Sequence, residues 1–283
     1  MRTEADTEAL EYNNIYRIVK VGDINMKRKT GYGTLLIVLI LILTVTAGCG
    51  KKENRYTYRD DGIKALEERN YKDAIASFDR AIDAKKGLVG KFDMDVLKYK
   101  AEAEYLSGDY QAAVGTYDIL IKVDGEKPEY LNMRSASKAG AGDDDGAIAD
   151  YNRSRELDPD STAPGRMNAL MAAGAAMEKA GSPSDAMTLY EGAAAAGEAG
   201  PMIYNRMGLC RMAEKDWDGA LEAFQKGLAA PEASKVPELL FNTAVVYERK
   251  GEFKKALDTM EQYVSVHGPD EEAQREITFL ESR

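Results

Sequence analysis

The sequence predicts an all-α protein assembled from repeated helical hairpins, and three observations carry that prediction. A register of alanines, Ala74, Ala113, Ala147, Ala186, Ala220 and Ala256, recurs at intervals of 39, 34, 39, 34 and 36 residues. Each is followed four residues later by a large side chain (Phe78, Tyr117, Tyr151, Tyr190, Phe224 and Met260) and preceded twelve residues earlier by a small one (Gly62, Ala101, Ser135, Gly174, Gly208 and Ala244). Residues four apart share a helix face, so the pattern places a small and a large side chain together where two helices meet. The composition agrees: only 8 prolines in 283 residues, with many Ala, Met and Tyr, favours helices packed through small and adaptable side chains.

Each copy reads as a first helix, a tight turn and a second helix. The turn is marked by Asn70-Tyr71, Gly108-Asp109, Gly142-Asp143, Gly181-Ser182, Asp216-Trp217 and Gly251-Glu252. The six hairpins are expected at about 55–88, 94–127, 128–161, 167–200, 201–234 and 237–270 within a body spanning 56–270. The two long intervals are explained by insertions around Lys86 to Phe92 and around Asp160 to Arg166, where Gly and Pro punctuate the chain. In the third copy, Glu156-Leu157-Asp158-Pro159 ends the second helix, since proline cannot continue it. After Gly268-Pro269, Ala273, Ile277 and Leu280 at helical spacing predict a last helix over 271–283 that caps the stack.

Together these residues resemble the tetratricopeptide repeat family, whose period is ~34 residues. The copies depart from the family at Lys138, Met177 and Arg211, where it usually carries an aromatic. The resemblance implies an α-solenoid of about six hairpins forming a right-handed superhelix, whose concave face, lined by first helices, holds a segment of a partner protein. By that geometry the expected groove residues are Arg59, Lys98, Tyr99, Asn132, Met133, Asn205, Arg206, Phe241, Asn242 and Arg249. For any one of them, being solvated or packed against the next repeat is the more frequent alternative. A clamp for a partner's C-terminal carboxylate, known in one subclass, is not supported: the matching positions hold Arg59, Ile63, Tyr99 and Glu102 in place of the orienting asparagines.

Ahead of the repeats, Lys27-Arg28-Lys29 precedes an apolar run from Leu35 to Leu43 and the small residues Ala47 and Gly48. A basic, an apolar and a small-residue region in that order make an export signal, expected over 26–48, and the run falls short of the ~20 residues of a spanning helix. Thr46-Ala47-Gly48-Cys49 resembles the lipobox of bacterial lipoproteins, although Thr46 stands where leucine is usual. The resemblance implies that the Cys49 thiol is diacylated, which gives stable anchoring. The alternative is an ordinary thiol after a cleaved or anchoring helix. Residues 49–55 then form a lipidated tether, and residues 1–25, polar and of mixed charge, are expected to be an over-extended start upstream of Met26.

The net charge of -10, with both signs interleaved along the body, argues against nucleic acid as a partner. The lone His267 cannot supply a histidine-based metal cluster, and Cys49 and Cys210 do not make a disulfide framework. Asp143-Asp144-Asp145-Gly146 lacks the alternating ligands and distal Glu of a calcium loop and reads as an exposed turn. Cys210, between Leu209 and Arg211, reads as a buried small hydrophobe. No nucleophile with a base, no carboxylate pair in a pocket and no phosphate loop is found, so no catalytic residue, metal or cofactor is expected.

The expected function is a lipid-anchored adaptor on the extracytoplasmic face of the cell membrane, or of the outer membrane in a two-membrane host, binding protein or peptide partners. The alternatives are an envelope or pilus assembly factor and a cell-wall glycan-binding lipoprotein. Glycan binding would require aromatic platforms, of which Tyr99 and Phe241 are the only two in the expected groove. Partner, pathway and oligomeric state stay open at this point.

Overall fold

A computed structural model of the protein describes residues 54–84 and 88–283. The export segment, Cys49 and nearly all of the tether lie outside the described residues. Among those described the regular structure is entirely helical. The helices are α1 (Arg55–Glu67), α2 (Tyr71–Asp83), α3 (Lys91–Ser107), α4 (Tyr110–Asp124), α5 (Pro128–Ala141), α6 (Asp144–Leu157) and α7 (Arg166–Lys179). They continue as α8 (Pro183–Ala195), α9 (Pro201–Ala213), α10 (Trp217–Ala229), α11 (Glu238–Arg249), α12 (Phe253–His267) and α13 (Glu271–Glu281). A short 3-10 turn, Ala233–Lys235, lies between α10 and α11. The described residues form two compact units that divide between Ala103 and Glu104, within α3. No helix among them is long and apolar enough to cross a membrane.

The all-α tetratricopeptide-type hairpins expected from the alanine register are present, and the reason is local. After α1, α3, α5, α7, α9 and α11 the backbone enters the left-handed region at Arg69, Gly108, Gly142, Gly181, Lys215 and Gly251, with φ between 61° and 86°. The following N–H then reaches a carbonyl five residues back: Asn70 to Ala65, Asp109 to Glu104, Asp143 to Lys138, Ser182 to Met177, Asp216 to Arg211 and Glu252 to Tyr247, all at 2.8 to 3.0 Å. This bond satisfies carbonyls that the helix end would otherwise leave without partners. Three of the same residues start the second helix. The Asp109, Asp143 and Asp216 carboxylates accept from the N–H groups of Ala112, Gly146 and Gly219 at 3.2, 3.0 and 3.0 Å.

The hairpins close by fitting rings over missing side chains. A Cβ placed on Gly62 would lie 2.5 Å from the Phe78 ring, and Gly174 against Tyr190 and Gly208 against Phe224 leave less room still. Phe78, Tyr190 and Phe224 are fully buried. Burying each ring stabilises the fold by about 1.5–3 kcal/mol. At the same position in the third hairpin, Ser135 donates its hydroxyl to the Ala147 carbonyl at 2.7 Å. In the first unit Phe78 is packed with Ala74, Ala81, Val96 and Ala103. In the second, Tyr190 and Phe224 each centre a cluster of their own.

The long intervals of the register correspond to loops before α3 and α7, but Lys91 and Phe92 already belong to α3 and Arg166 opens α7. The helices extend into both expected insertions because capping begins earlier: Asp93 accepts from the Gly90 N–H at 2.7 Å, and Gly165 takes a left-handed φ of 77° just ahead of Arg166. Helix α13 buries Ala273 and Leu280 with Ala256 and Met260 and turns Glu271, Glu272, Gln274 and Arg275 to solvent. Its N-cap is Asp270, which accepts from the Ala273 N–H at 2.8 Å.

Candidate functional site

The first helices of consecutive hairpins in the second unit are tied edge to edge by side chains in matching positions. The Asn242 amide on α11 donates to the Asn205 side-chain oxygen on α9 at 3.0 Å. Arg206 on α9 reaches Glu178 on α7 at 3.2 Å, and Asn168 on α7 contacts the Met133 sulfur on α5 at 3.7 Å. These links give the three helices α7, α9 and α11 one shared face. Residues spaced by three, seven and ten positions lie along one stripe of a helix. On α7 that stripe is Asn168, Met171, Ala175 and Glu178; on α9 it is Met202, Asn205, Leu209 and Met212; on α11 it is Glu238, Phe241, Val245 and Glu248.

Apart from Asn205 the stripe is apolar along its middle, and it carries carboxylates at both ends on α11 (Glu238 and Glu248) and at one end on α7 (Glu178). Asn168, Met202 and Glu238 are exposed, while Met171, Ala175, Leu209, Phe241 and Val245 are half-buried. Phe241 stands edge-on to Tyr263 with ring centroids 5.7 Å apart, and the Tyr263 hydroxyl donates to Asp270 at 2.7 Å. That bond to Asp270 holds the Tyr263 hydroxyl above its ordinary pKa. Glu178 accepts from the buried Tyr190 hydroxyl at 2.7 Å as well as from Arg206. Glu276, on α13, keeps one carboxylate oxygen buried without a hydrogen-bond partner. Burial first, and the neighbouring Glu248 carboxylate second, push the Glu276 carboxyl above its ordinary range.

The residues expected in the groove fall into different environments. In the first unit, Arg59 donates to Asp95 at 2.5 Å and lies 5.7 Å from the centre of the Tyr99 ring, which is stacked on Phe78. The hydrogen bond to Asp95 raises the Arg59 pKa further. Lys98 is exposed on the same helix as Tyr99. In the second unit Asn205 is 6% exposed and its side-chain oxygen is taken by Asn242, Arg206, Phe241, Asn242 and Met133 are half-buried, and Arg249 is exposed at the end of α11.

Asn132 does not join them. It is 2% exposed, donates to the Pro164 carbonyl at 2.9 Å and accepts from the Ser154 hydroxyl at 2.6 Å. Its expected groove role gives way to a structural one, because the loop before α7 folds over it and takes its donor. Met171, Met202, Glu178 and Glu248 were missed from the sequence. The signal existed in the register: Glu178 and Glu248 stand four residues after the small residues Gly174 and Ala244.

Two other sequence features resolve into structural roles. Asp143 caps α6, and Asp144 receives Lys179 at 2.5 Å. Cys210 is 1% exposed and burial pushes its thiol up to about 12, so it stays protonated and unreactive near neutral pH.

The sequence profile of the tetratricopeptide repeat matches residues 60–130, 100–162 and 205–272. The chain belongs to the tetratricopeptide repeat family. No curated protein sequence matches it. Similar solved structures include a chain of the APC/C hetero-tetramer Cut9-Hcn1, at 14% identity and a TM-score of 0.61, covering 80% of this chain and 43% of that one. A tetratricopeptide repeat protein from Parabacteroides merdae ATCC 43184 matches at 14% identity and a TM-score of 0.63, covering 81% of this chain and 92% of that one. Pseudomonas aeruginosa pilF matches at 13% identity and 0.61, covering 81% and 96%. This tetratricopeptide repeat chain thus spans less than half of the Cut9-Hcn1 chain and nearly all of the other two, and at these identities the likeness is one of fold. Tetratricopeptide repeats point to binding of other proteins rather than to catalysis.

Proposed function

We propose that the protein is a membrane-anchored, extracytoplasmic adaptor that binds protein or peptide partners through the first-helix face of its tetratricopeptide repeats. The observation that carries the reading is the shared face of α7, α9 and α11, held in register by Asn242 on Asn205 and by Arg206 on Glu178. Such a face offers half-buried apolar side chains flanked by amides and carboxylates, the mixture that a polypeptide segment can satisfy along its backbone and side chains. The fold neighbour in a hetero-tetramer supports an assembly role. The anchor rests on the sequence alone: Lys27-Arg28-Lys29, the apolar run, and Cys49 as the diacylated residue. On this reading the protein is not an enzyme, and the envelope is its site of action.

The test is a crosslinking pull-down from native membranes with the intact chain, a Cys49→Ala form and a form altered at Asn205, Arg206 and Asn242. A defined protein set that depends on the groove residues, with loss of membrane association in Cys49→Ala, supports the reading. Enrichment of cell-wall fragments without protein would replace it by glycan binding.

A further inference from the structure

We infer that the face shared by α7, α9 and α11 receives a basic, partly apolar segment of its partner protein. The inference rests on the adaptor reading above and adds the chemistry of the partner.

Charge is distributed unevenly along the chain. Residues 104–283 hold 32 Asp and Glu against 19 Lys and Arg, whereas residues 1–103 hold 16 against 19. The acidic excess therefore falls on the unit that carries the three linked helices, and a surface of one sign raises the encounter rate with segments of the other.

Four of the five cations that these helices carry are already engaged within the protein, and the fifth, Arg249, is exposed next to Glu248. Arg166 pairs with Glu198, Lys179 with Asp144, Arg206 with Glu178 and Arg211 with Glu191. At any of those four an acidic segment would have to displace a carboxylate before it could bind. A basic segment finds carboxylates at both ends of the α11 stripe, Glu238 exposed at one and Glu248, with Arg249 next to it, at the other. Beside Glu248, Glu276 on α13 adds a further carboxylate to this end of the face. On the same face Met202 is 46% exposed and Phe241 half-buried, so the segment must also present apolar side chains.

The experiment selects from a display library of random peptides of about 12 residues on the full chain. In extended form that length crosses three helices spaced about 10 Å apart. Enriched peptides are expected to carry net positive charge with at least one large apolar residue. Their affinity should fall with added salt and drop about tenfold in a Glu238→Gln, Glu248→Gln double variant whose thermal melt matches the parent. Glu276→Gln serves as an independent second variant, expected to weaken the same peptides. Enrichment of neutral or acidic peptides, or binding indifferent to both variants, overturns the charge assignment and leaves the adaptor reading standing. Absence of any enriched peptide, together with an empty pull-down, removes both.

Discussion

Gly174 on α7 lies against the ring of Tyr190 on α8, so close that even a methyl group at position 174 would collide with the phenol. The same fit joins Gly208 to Phe224 and Gly62 to Phe78. Helix propensity alone favours Ala over Gly by about 1 kcal/mol, so these glycines are retained against the local preference of the helix.

Gly174→Ala and Gly208→Ala should therefore each destabilise the fold by about 1–3 kcal/mol, the usual cost of overpacking a tight contact. Urea unfolding of the two variants measures this. An unchanged or raised midpoint would mean that the ring can move aside.

The left-handed turns predict the opposite outcome at two other positions. Arg69 and Lys215 adopt φ of 61° where the other four turns use glycine. A non-glycine residue pays roughly 1–2 kcal/mol in that region, part of which glycine returns through greater freedom of the unfolded chain. Arg69→Gly and Lys215→Gly should raise the thermal midpoint modestly, and Gly142→Ala should lower it.

Asn132→Ala separates structural from binding asparagines. It removes the donor to the Pro164 carbonyl and leaves the Ser154 hydroxyl only its weaker bond to the Pro128 carbonyl at 3.3 Å, at a cost of about 1–3 kcal/mol. Below its lowered melting temperature, the variant should bind partners as the parent does. Asn242→Ala, on the shared face, should melt close to the parent and bind less.

Glu276 makes stability depend on pH. Its folded-state pKa is raised, by burial and by Glu248, with Arg249 opposing and Glu272 adding to the effect. Below the ordinary carboxyl range the group is protonated whether folded or not, and its contribution is intact. As pH rises through the raised value, a charge must form in a buried position beside another, and stability is lost. Glu276→Gln should therefore melt above the parent near about pH 7 and level with it near about pH 4. Equal melts at both would show that Glu276 ionises freely in the fold.

The hairpins were legible in the sequence because close helix approach demands small residues at fixed distances from large ones. Gly62, Gly174 and Gly208 each stand sixteen residues ahead of the ring that covers them. The fate of Asn132 was not legible, since its burial depends on Pro164, which a loop without periodicity brings over it. Nor was the ion cluster of Arg134, which donates to Asp150 through two nitrogens at 2.7 Å and to Asp118 at 2.6 Å. Those partners are on two different helices, and spacing along the chain does not choose between them. Arg69 and Lys215 stand where the other four turns carry glycine, so the turns at Asn70-Tyr71 and Asp216-Trp217 were legible from the register and not from a glycine that marks the left-handed backbone.

The turn bonds, from Asn70 to Ala65 through Glu252 to Tyr247, all lie within a few residues and are made by backbone alone. No hairpin consults its neighbours in order to bend. A whole hairpin can therefore be removed or duplicated without rewriting the instruction for any other bend. The recognition surface can lengthen in steps of one helix while the joints stay the same.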